Sequence, residues 1–268
     1  MNMKKAFLYV MVVAFGAVSC NDVRIEAPAD YGELSVVLAG EPVVDVVSKA
    51  SSELTADQAK DYYIAVYSDP ECTGDPVVGK TKYSELSNPI LIPAGTYYVW
   101  AESCGTGIAE NGNGCMRLAG TSEAVVVRAG FSESAIVDCS VVNAKVSVAF
   151  DASVAGRFKD DDLTVTLKRT DPPRSRVAGY SGGGKEFWFN AGSLVVYEIS
   201  GTSALTSERV TATGTITGTG EGGKLAAKDN IQLNIKAVSS NGILTLESSV
   251  DTDIEKGNDI IGSFNPYE

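Results

Sequence analysis

Hydrophobic and polar side chains alternate most clearly in residues 90–101, where two β-rich runs meet at Pro93-Ala94-Gly95. Proline fixes φ and lacks a backbone donor, and glycine permits a turn that other residues resist. After this corner, successive side chains point to opposite faces: Thr96, Tyr98 and Trp100 to one, Tyr97, Val99 and Ala101 to the other. Such alternation of β-branched and aromatic residues predicts a half-buried strand of an antiparallel sheet.

Similar short strands are predicted along the whole chain, separated by Gly, Pro and Asx turn signals. The predicted strands are 32–38, 62–67, 77–83, 123–128, 135–139, 145–150, 163–167, 186–190, 194–199, 209–217, 231–237 and 243–247. Residues 123–128 and 135–139 are expected to form a hairpin that turns at Ala129-Gly130. The best helix candidate, residues 51–60, would be one or two turns long with Ser51 or Ser52 as its cap.

Short strands at this spacing favour an all-β fold of β-sandwich domains over any α/β fold. The strand pattern begins again near Val141-Val142-Asn143-Ala144, where we place a domain boundary. We therefore predict an N-terminal β-sandwich domain at residues 32–140 and a C-terminal β-sandwich domain at residues 141–268.

Residues 1–19 have the features of a secretory signal peptide. Lys4 and Lys5 precede an apolar run at residues 6–14, which is shorter than the ~20 residues that span a bilayer. Small residues then lead into Cys20, which resembles a bacterial lipobox, although Ala17 stands where Leu is commoner. We expect Cys20 to be lipidated and residues 20–31 to form a tether from the membrane; the alternative is an ordinary cleaved signal with Cys20 incidental.

The negative net charge of the chain argues against one class of partner, the nucleic acids. Loss of residues 1–19 removes two lysines and takes the formal net charge from −12 to −14. An acidic chain repels polyanions, so we expect no nucleic-acid partner.

Four cysteines remain after Cys20, namely Cys72, Cys104, Cys115 and Cys139. An even number of exported thiols could pair in three ways. The glycine-rich segment from Cys104 to Cys115 could close as a disulfide-tied loop, and free buried cysteines are the alternative. No C-x-x-C motif is present, so neither a zinc knuckle nor a redox dithiol of that type is indicated.

The complete absence of histidine argues against an enzyme. It excludes a Ser-His-Asp triad, a Cys-His pair and any histidine-containing metal site. Gly179 to Lys185 matches the spacing of a phosphate-binding loop, but Glu186 replaces the required Ser or Thr and a strand-like run follows. We therefore expect no catalytic residues, no metal and no cofactor.

A tryptophan could instead provide a surface for a sugar ring. Trp188 lies between two phenylalanines beside a glycine-rich loop, and it is the better candidate for an exposed platform than Trp100. Packing in the core is the alternative for both rings.

The order of several short motifs resembles the fimbrillin-like lipoproteins of Bacteroidales, in particular an uncharacterised branch classed only as a domain of unknown function. Each motif alone is weak, but the resemblance covers nearly the whole chain after the leader. The matching stretches are the lipobox, residues 32–38, Ser48-Lys49-Ala50, residues 62–67, 91–97, 143–148 and 227–234.

This resemblance implies two tandem transthyretin-like, Greek-key β-sandwich domains on a lipid-anchored envelope protein. In the pilin members, a protease removes the first strand, and the opened groove accepts a strand from the next subunit by β-strand addition. On this chain the removable strand would be Leu34-Ser35-Val36-Val37-Leu38, and the cut would fall at Lys49-Ala50. Fimbrillins usually present Arg at the cut, so Lys49 departs from the commonest pattern; a lysine in an exposed linker is the alternative.

The sequence thus predicts a non-enzymatic, outer-membrane-anchored lipoprotein that acts in adhesion, as a pilus subunit or a pilus-associated protein. Its partners would be the membrane through its lipid, other pilin subunits, and a host or glycan ligand. The alternative function is a glycan-binding accessory lipoprotein of a polysaccharide-uptake system.

Overall fold

The computed structural model describes residues 28–40, 52–240 and 243–252. In these ranges the chain is built almost entirely of β-strands, which confirms the predicted all-β fold. Its helices are single turns, and none of those in the described ranges has the length and apolar character needed to cross a bilayer.

The described residues of the first half contain nine strands and two short α-helices. They are β1 (Tyr31–Gly40), β2 (Ser52–Glu53), α1 (Ala56–Ala59), β3 (Tyr63–Tyr67), β4 (Val78–Lys82), β5 (Ile90–Pro93), β6 (Gly95–Glu102), α2 (Thr106–Ala109), β7 (Leu118–Thr121), β8 (Val125–Val127) and β9 (Ser132–Val141). The strand order is β2-β1-β9-β7-β6-β3-β4, with β5 also beside β1 and β8 beside β6.

The second half, as far as it is described, contains eight strands in two sheets. They are β10 (Asn143–Phe150), β11 (Thr164–Thr170), β12 (Pro173–Gly179), β13 (Lys185–Asn190), β14 (Val195–Thr202), β15 (Arg209–Ile216), β16 (Asn230–Ser240) and β17 (Ile243–Asp251). One sheet has the order β13-β10-β16-β17 and the other β12-β11-β14-β15. Both sheets contribute buried side chains to a single core, so this half is a β-sandwich.

Two separate hydrophobic cores follow from this arrangement. The first core takes its buried side chains from positions between Leu34 and Cys139, and the second from positions between Ala144 and Ala237. In both halves the opening strand pairs in parallel with a strand near the end of the same half, β1 with β9 and β10 with β16.

The predicted alternation after Pro93 is present in β6. Tyr97, Val99 and Ala101 are buried in the first core, whereas Tyr98 and Trp100 are half-buried on the other face. The two runs that meet at this corner do not pair with each other, however. β5 pairs with β1, while β6 pairs with β3, β7 and β8, so the corner connects two different parts of the sheet.

The predicted hairpin over residues 123–139 is wrong in its pairing. Both strands exist, but β8 pairs with β6 and β9 pairs with β1 and β7. A local alternation of side chains indicates a strand but does not identify its partner, and here the tertiary arrangement places the neighbours in sequence against different strands.

The predicted helix in residues 51–60 forms, but its cap is Thr55 rather than Ser52, which lies in β2. Thr55 and Gln58 form a reciprocal capping box, in which each side chain accepts a hydrogen bond from the other residue's backbone. This local motif starts the helix at Ala56. Ser51 lies outside the described residues.

A candidate strand-exchange site in the first domain

The first strand lies inside the sheet and is held unequally on its two sides. On one side β1 pairs in parallel with β9 from Glu33 opposite Ser132 to Gly40 opposite Cys139. On the other side it pairs with β5 only at its start and with β2 only at its end. We call the space that β1 occupies between β9 on one side and β5 and β2 on the other the strand slot.

The gap between β5 and β2 is closed at Val36 by two side chains instead of a strand. The Val36 N–H donates to Asn88 Oδ1 at 3.0 Å, and Asn88 Nδ2 donates back to the Val36 carbonyl at 2.9 Å. The Tyr83 hydroxyl donates to the same carbonyl at 3.0 Å. Asn88 therefore supplies the donor and acceptor that a neighbouring strand would offer.

The apolar side chains of β1 complete the first core. Leu34, Val36 and Leu38 are 0%, 1% and 2% exposed, whereas Ser35 and Val37 are half-buried on the opposite face. Burial of each Leu or Val contributes roughly 1.5–3 kcal/mol. A slot without β1 would expose the apolar partners of these side chains, and any strand with the same alternation could cover them.

Gly32 allows β1 to enter the slot. A Cβ atom at this position would lie 2.3 Å from the Arg128 carbonyl oxygen and 2.9 Å from that of Phe131. These contacts are with backbone atoms, which cannot rotate away. The start of β1 is therefore restricted to glycine by close packing against the turn between β8 and β9.

Two of the sequence-predicted site residues, Lys49 and Ala50, lie outside the described residues, as does Cys20. The described chain resumes at β2, where Ser52 pairs with Gly40. A cut within residues 41–51 would therefore remove the covalent link between β1 and the strands that follow it in the described chain.

Trp188 lies on the outer face of β13, between the buried side chains of Phe187 and Phe189. Its ring is half-buried, and its backbone is fully engaged: its N–H donates to the Asn113 carbonyl at 2.8 Å, and its own carbonyl accepts from Arg176. Trp188 thus lies beside the connection between β6 and β7 of the first domain.

A second aromatic surface lies on the outer face of β3 and β6. Tyr67 is opposite Tyr98 in the antiparallel pair, and Trp100 is opposite Ala65 on the same face. The Lys80 ammonium lies 5.1 Å from the centroid of the Trp100 ring, a cation–π distance. This group of aromatic residues could not be predicted from the sequence, since the proximity of the tyrosines depends on the β3–β6 register.

The two domains are tied together by Glu110, at the end of α2. Its carboxylate accepts hydrogen bonds from Arg169 and, at 2.7 Å, from the Asn190 backbone N–H. Its carbonyl accepts from Arg174 and Arg176. Glu110 is only 2% exposed. We call this set of contacts around Glu110 the interdomain clasp.

The charges in the clasp are buried together. The Arg169 and Arg176 side chains are buried with the carboxylate of Glu110, and burial lowers the pKa of Arg176 to about 10. Buried charges are tolerated when they are paired and hydrogen-bonded. This site could not be predicted from the sequence, because Glu110 and its arginines lie far apart in the chain.

The four cysteines of the two domains are thiols in this structure. Cys139 is buried in β9, and burial raises its pKa to about 12. Cys72 is half-buried in the β3–β4 connection, and desolvation raises its pKa as well. Cys104 and Cys115 lie next to each other, with their sulfur atoms 3.3 Å apart.

The structure is thus an all-β fold in which β1 is buried in the first core. On one side β1 pairs with β9 along its length, and on the other it pairs with strands only at its two ends. The chain belongs to the family described as Domain of unknown function (DUF4493), whose model matches residues 30–261. Membership of an uncharacterised family is thereby confirmed. No curated protein sequence matches the chain.

Several solved structures resemble the chain. The fimbrial anchor protein Mfa2 from Porphyromonas gingivalis is 11% identical over 82% of this chain and 98% of its own, with a TM-score of 0.47. A candidate adhesin from Bacteroides ovatus is 13% identical over 88% and 96%, with a TM-score of 0.47. A candidate polysaccharide-binding protein from Bacteroides thetaiotaomicron is 11% identical over 85% and 100%, with a TM-score of 0.46. At TM-scores below 0.5, these likenesses support no functional conclusion for this chain.

Proposed function

We propose that this protein is a fimbrillin-like adhesion protein of the cell envelope that works by β-strand addition, as a pilus subunit or a pilus-associated protein. β1 is the exchangeable strand, and a cut after Lys49 releases it. Lipidation of Cys20 anchors the chain to the outer membrane before assembly. The protein has no catalytic role in this proposal.

The observation that supports this proposal most is the unequal hold on β1. Its buried side chains make it indispensable to the core, yet on one side strands pair only with its ends. An incoming strand would find the backbone groups of β9 along the slot, together with the Asn88 amide. β-strand addition needs this combination of free backbone partners and alternating apolar pockets.

A second copy of the chain could supply a strand of suitable pattern. β17 is hydrogen-bonded to β16 along one side, and in the described residues it is the last strand of its sheet. Leu244, Leu246 and Val250 share one face and are only partly buried. Leu244 and Leu246 repeat the two-residue spacing of Leu34 and Val36, so β17 could cover part of the slot. The third position, which Leu38 occupies in β1, is Ser248 in β17.

Controlled proteolysis of residues 21–268 tests the proposal. Limited trypsin digestion would be followed by mass spectrometry of the fragments and by native gels. We expect a single early cut after Lys49 and then a ladder of higher oligomers. The Lys49→Gln variant is the matched control, and it should remain intact and monomeric under the same conditions. Resistance of Lys49, or a cut that leaves only monomers, would contradict the proposed polymerisation.

Glycan binding is the second candidate function, and the aromatic face of β3 and β6 favours it. Tyr98 and Trp100 are half-buried on an outer face, and aromatic rings with one accessible side can stack on sugars. Trp188 is a second candidate position, beside the interdomain clasp. A glycan pull-down tests both positions. Loss of binding in Trp100→Ala or Trp188→Ala, with retention in the monomeric Lys49→Gln variant, would favour this function over strand exchange.

A further inference from the structure

Cys104 and Cys115 lie at the two ends of the β6–β7 connection, and their sulfur atoms are 3.3 Å apart. A disulfide bond is about 2.05 Å long, so a small side-chain rotation would bring the two sulfurs to bonding distance. Both residues are half-buried, which leaves them reachable from solvent. Among the described residues, the one close contact between two cysteine sulfurs is that of Cys104 with Cys115, so neither Cys72 nor Cys139 has a cysteine partner there.

The segment between these two cysteines makes several of the hydrogen bonds between the domains. It contains Glu110, the centre of the interdomain clasp, and Asn113, whose carbonyl accepts a hydrogen bond from the Trp188 N–H at 2.8 Å. Gly114 lies against Trp188, because a Cβ on Gly114 would come within 2.9 Å of the Trp188 Cβ. A covalent bond across the base of this segment would restrict the part of the chain that holds the second domain.

The two thiols differ in reactivity. The hydrogen bond from Cys104 stabilises a thiolate on Cys115 and lowers the pKa of Cys115 to about 7. The same hydrogen bond raises the pKa of Cys104. Thiolates, not thiols, attack disulfides, so Cys115 is the residue that reacts first near neutral pH.

We propose that Cys104 and Cys115 are a redox modification site, at which oxidation to a disulfide locks the connection that carries the interdomain clasp. The proposal is independent of strand exchange, because the site lies in a different part of the chain from the strand slot. The oxidant is a disulfide, either of a thiol oxidoreductase or of a small molecule.

The reaction takes place in two balanced steps. The Cys115 thiolate attacks one sulfur of the oxidant, forms a mixed disulfide and releases one thiolate of the oxidant. Cys104 then loses its proton to solvent or to the released thiolate, and its sulfur attacks the Cys115 sulfur, which releases the second thiolate. The protein loses two electrons and two protons, and one disulfide of the oxidant is reduced to two thiols.

The test is incubation of the whole chain with mixtures of reduced and oxidised glutathione, followed by acid quenching and alkylation of the remaining thiols. After unfolding, endoproteinase Glu-C cuts after Glu102, Glu110 and Glu123, which places Cys104 and Cys115 on two separate peptides, 103–110 and 111–123. Mass spectrometry then distinguishes the linked pair from two alkylated peptides. Cys72 and Cys139 are the internal controls, and they should remain alkylated.

We expect the 103–110 and 111–123 peptides to become linked with the loss of two hydrogens, and the melting temperature to rise by about 5–10 °C. Hydrogen exchange at the Trp188 and Asn190 amides should slow on oxidation, because both amides donate to the locked segment. Cys104→Ser and Cys115→Ser should abolish the linkage and the change in exchange rate, while Cys72→Ser should change neither.

Two outcomes would overturn the proposal. In the first, the two peptides stay separate at every glutathione ratio, or Cys115 retains a glutathione adduct that Cys104 never displaces. In the second, the linked pair forms but exchange at Trp188 and Asn190 is unchanged, which would refute the role in the clasp. Both measurements use the wild-type chain, so a variant that fails to fold does not decide the result.

Discussion

The side-chain amide of Asn88 forms two hydrogen bonds with the backbone of Val36 and takes the place of a neighbouring strand at the middle of β1. This contact comes from one side chain, whereas the ends of β1 on the same side are held by β5 and β2. If β1 leaves the domain, as we propose, only a few hydrogen bonds have to break at its centre on this side.

Asn88→Ala should weaken the hold on β1. The change leaves the Val36 N–H and one acceptor position of its carbonyl without the Asn88 partner, at a cost of about 1–3 kcal/mol in the free energy of unfolding. Denaturant unfolding measures this loss, and hydrogen exchange should show faster opening at Val36. Asn111→Ala, at an exposed position, is the matched control and should change neither. Unaltered exchange at Val36 in Asn88→Ala would show that the amide does not hold β1.

Gly32→Ala should displace the start of β1. The new methyl group would overlap the Arg128 carbonyl oxygen, and such overpacking typically costs about 1–3 kcal/mol. The matched control is Gly79→Ala in β4, where a Cβ meets nothing within 4 Å. Thermal unfolding of the two variants compares them directly. Equal melting temperatures would contradict the close approach of β1 to the β8–β9 turn.

Glu110→Gln should loosen the interdomain clasp. The substitution removes the only negative charge in these contacts and leaves the buried guanidinium of Arg169 uncompensated, with an expected loss of about 3 kcal/mol. Glu123→Gln, at an exposed position, should stay within ~0.5 kcal/mol of the wild type. Denaturant unfolding measures both free energies of unfolding. Equal values for the two variants would show that the clasp does not stabilise the folded protein.

Alkylation of Cys115 should depend on pH in a way that differs from Cys72. A thiol reacts as its thiolate, so the rate at Cys115 should rise with pH and reach half its maximum near pH 7. Desolvation raises the pKa of Cys72 above that of an ordinary thiol, so its rate should still be rising at a pH where the rate at Cys115 has levelled off. Rates measured by iodoacetamide labelling and mass spectrometry check this order. Cys104→Ala should move the Cys115 midpoint upward, because it removes the hydrogen-bond donor.

For most segments, the sequence predicts that a strand forms and which of its side chains face the core. Alternation places Tyr97 and Val99 in the core and Tyr98 on the opposite face, because a strand directs successive side chains to opposite faces. The same argument identified most strands and the position of β1. β12 was not predicted as a strand, because its arginines and its glycine-proline boundaries are typical of a loop.

The pairing of strands in the first half of the chain could not be predicted. The β8–β9 pair was expected to be a local hairpin, yet β8 pairs with β6, and β9 pairs with β1 and β7. In the same way the two strands that meet at Pro93 pair with different parts of the sheet. Long-range contacts depend on the packing of the whole core, which no window of sequence contains. For the same reason two site residues could not be recognised from the sequence. Asn88 is hydrogen-bonded to Val36, and Glu110 to Arg169, and both partners are distant in the chain.

Exchange of β1 in trans tests the central claim most directly. A site for a specific protease would be inserted within residues 41–51, so that the test does not depend on Lys49. The cut chain would then be mixed with a fluorescent peptide spanning Tyr31–Gly40, and uptake followed by anisotropy and native mass spectrometry. Peptides with Val36→Asp and Val37→Asp form a matched pair, since the two valines are neighbours on opposite faces of β1.

We expect the wild-type and Val37→Asp peptides to replace β1. The Val36→Asp peptide should not replace it, because its carboxylate would be buried in the first core. Failure of the wild-type peptide to enter the cut chain, or equal uptake of the Val36→Asp and Val37→Asp peptides, would contradict the claim that β1 is an exchangeable strand.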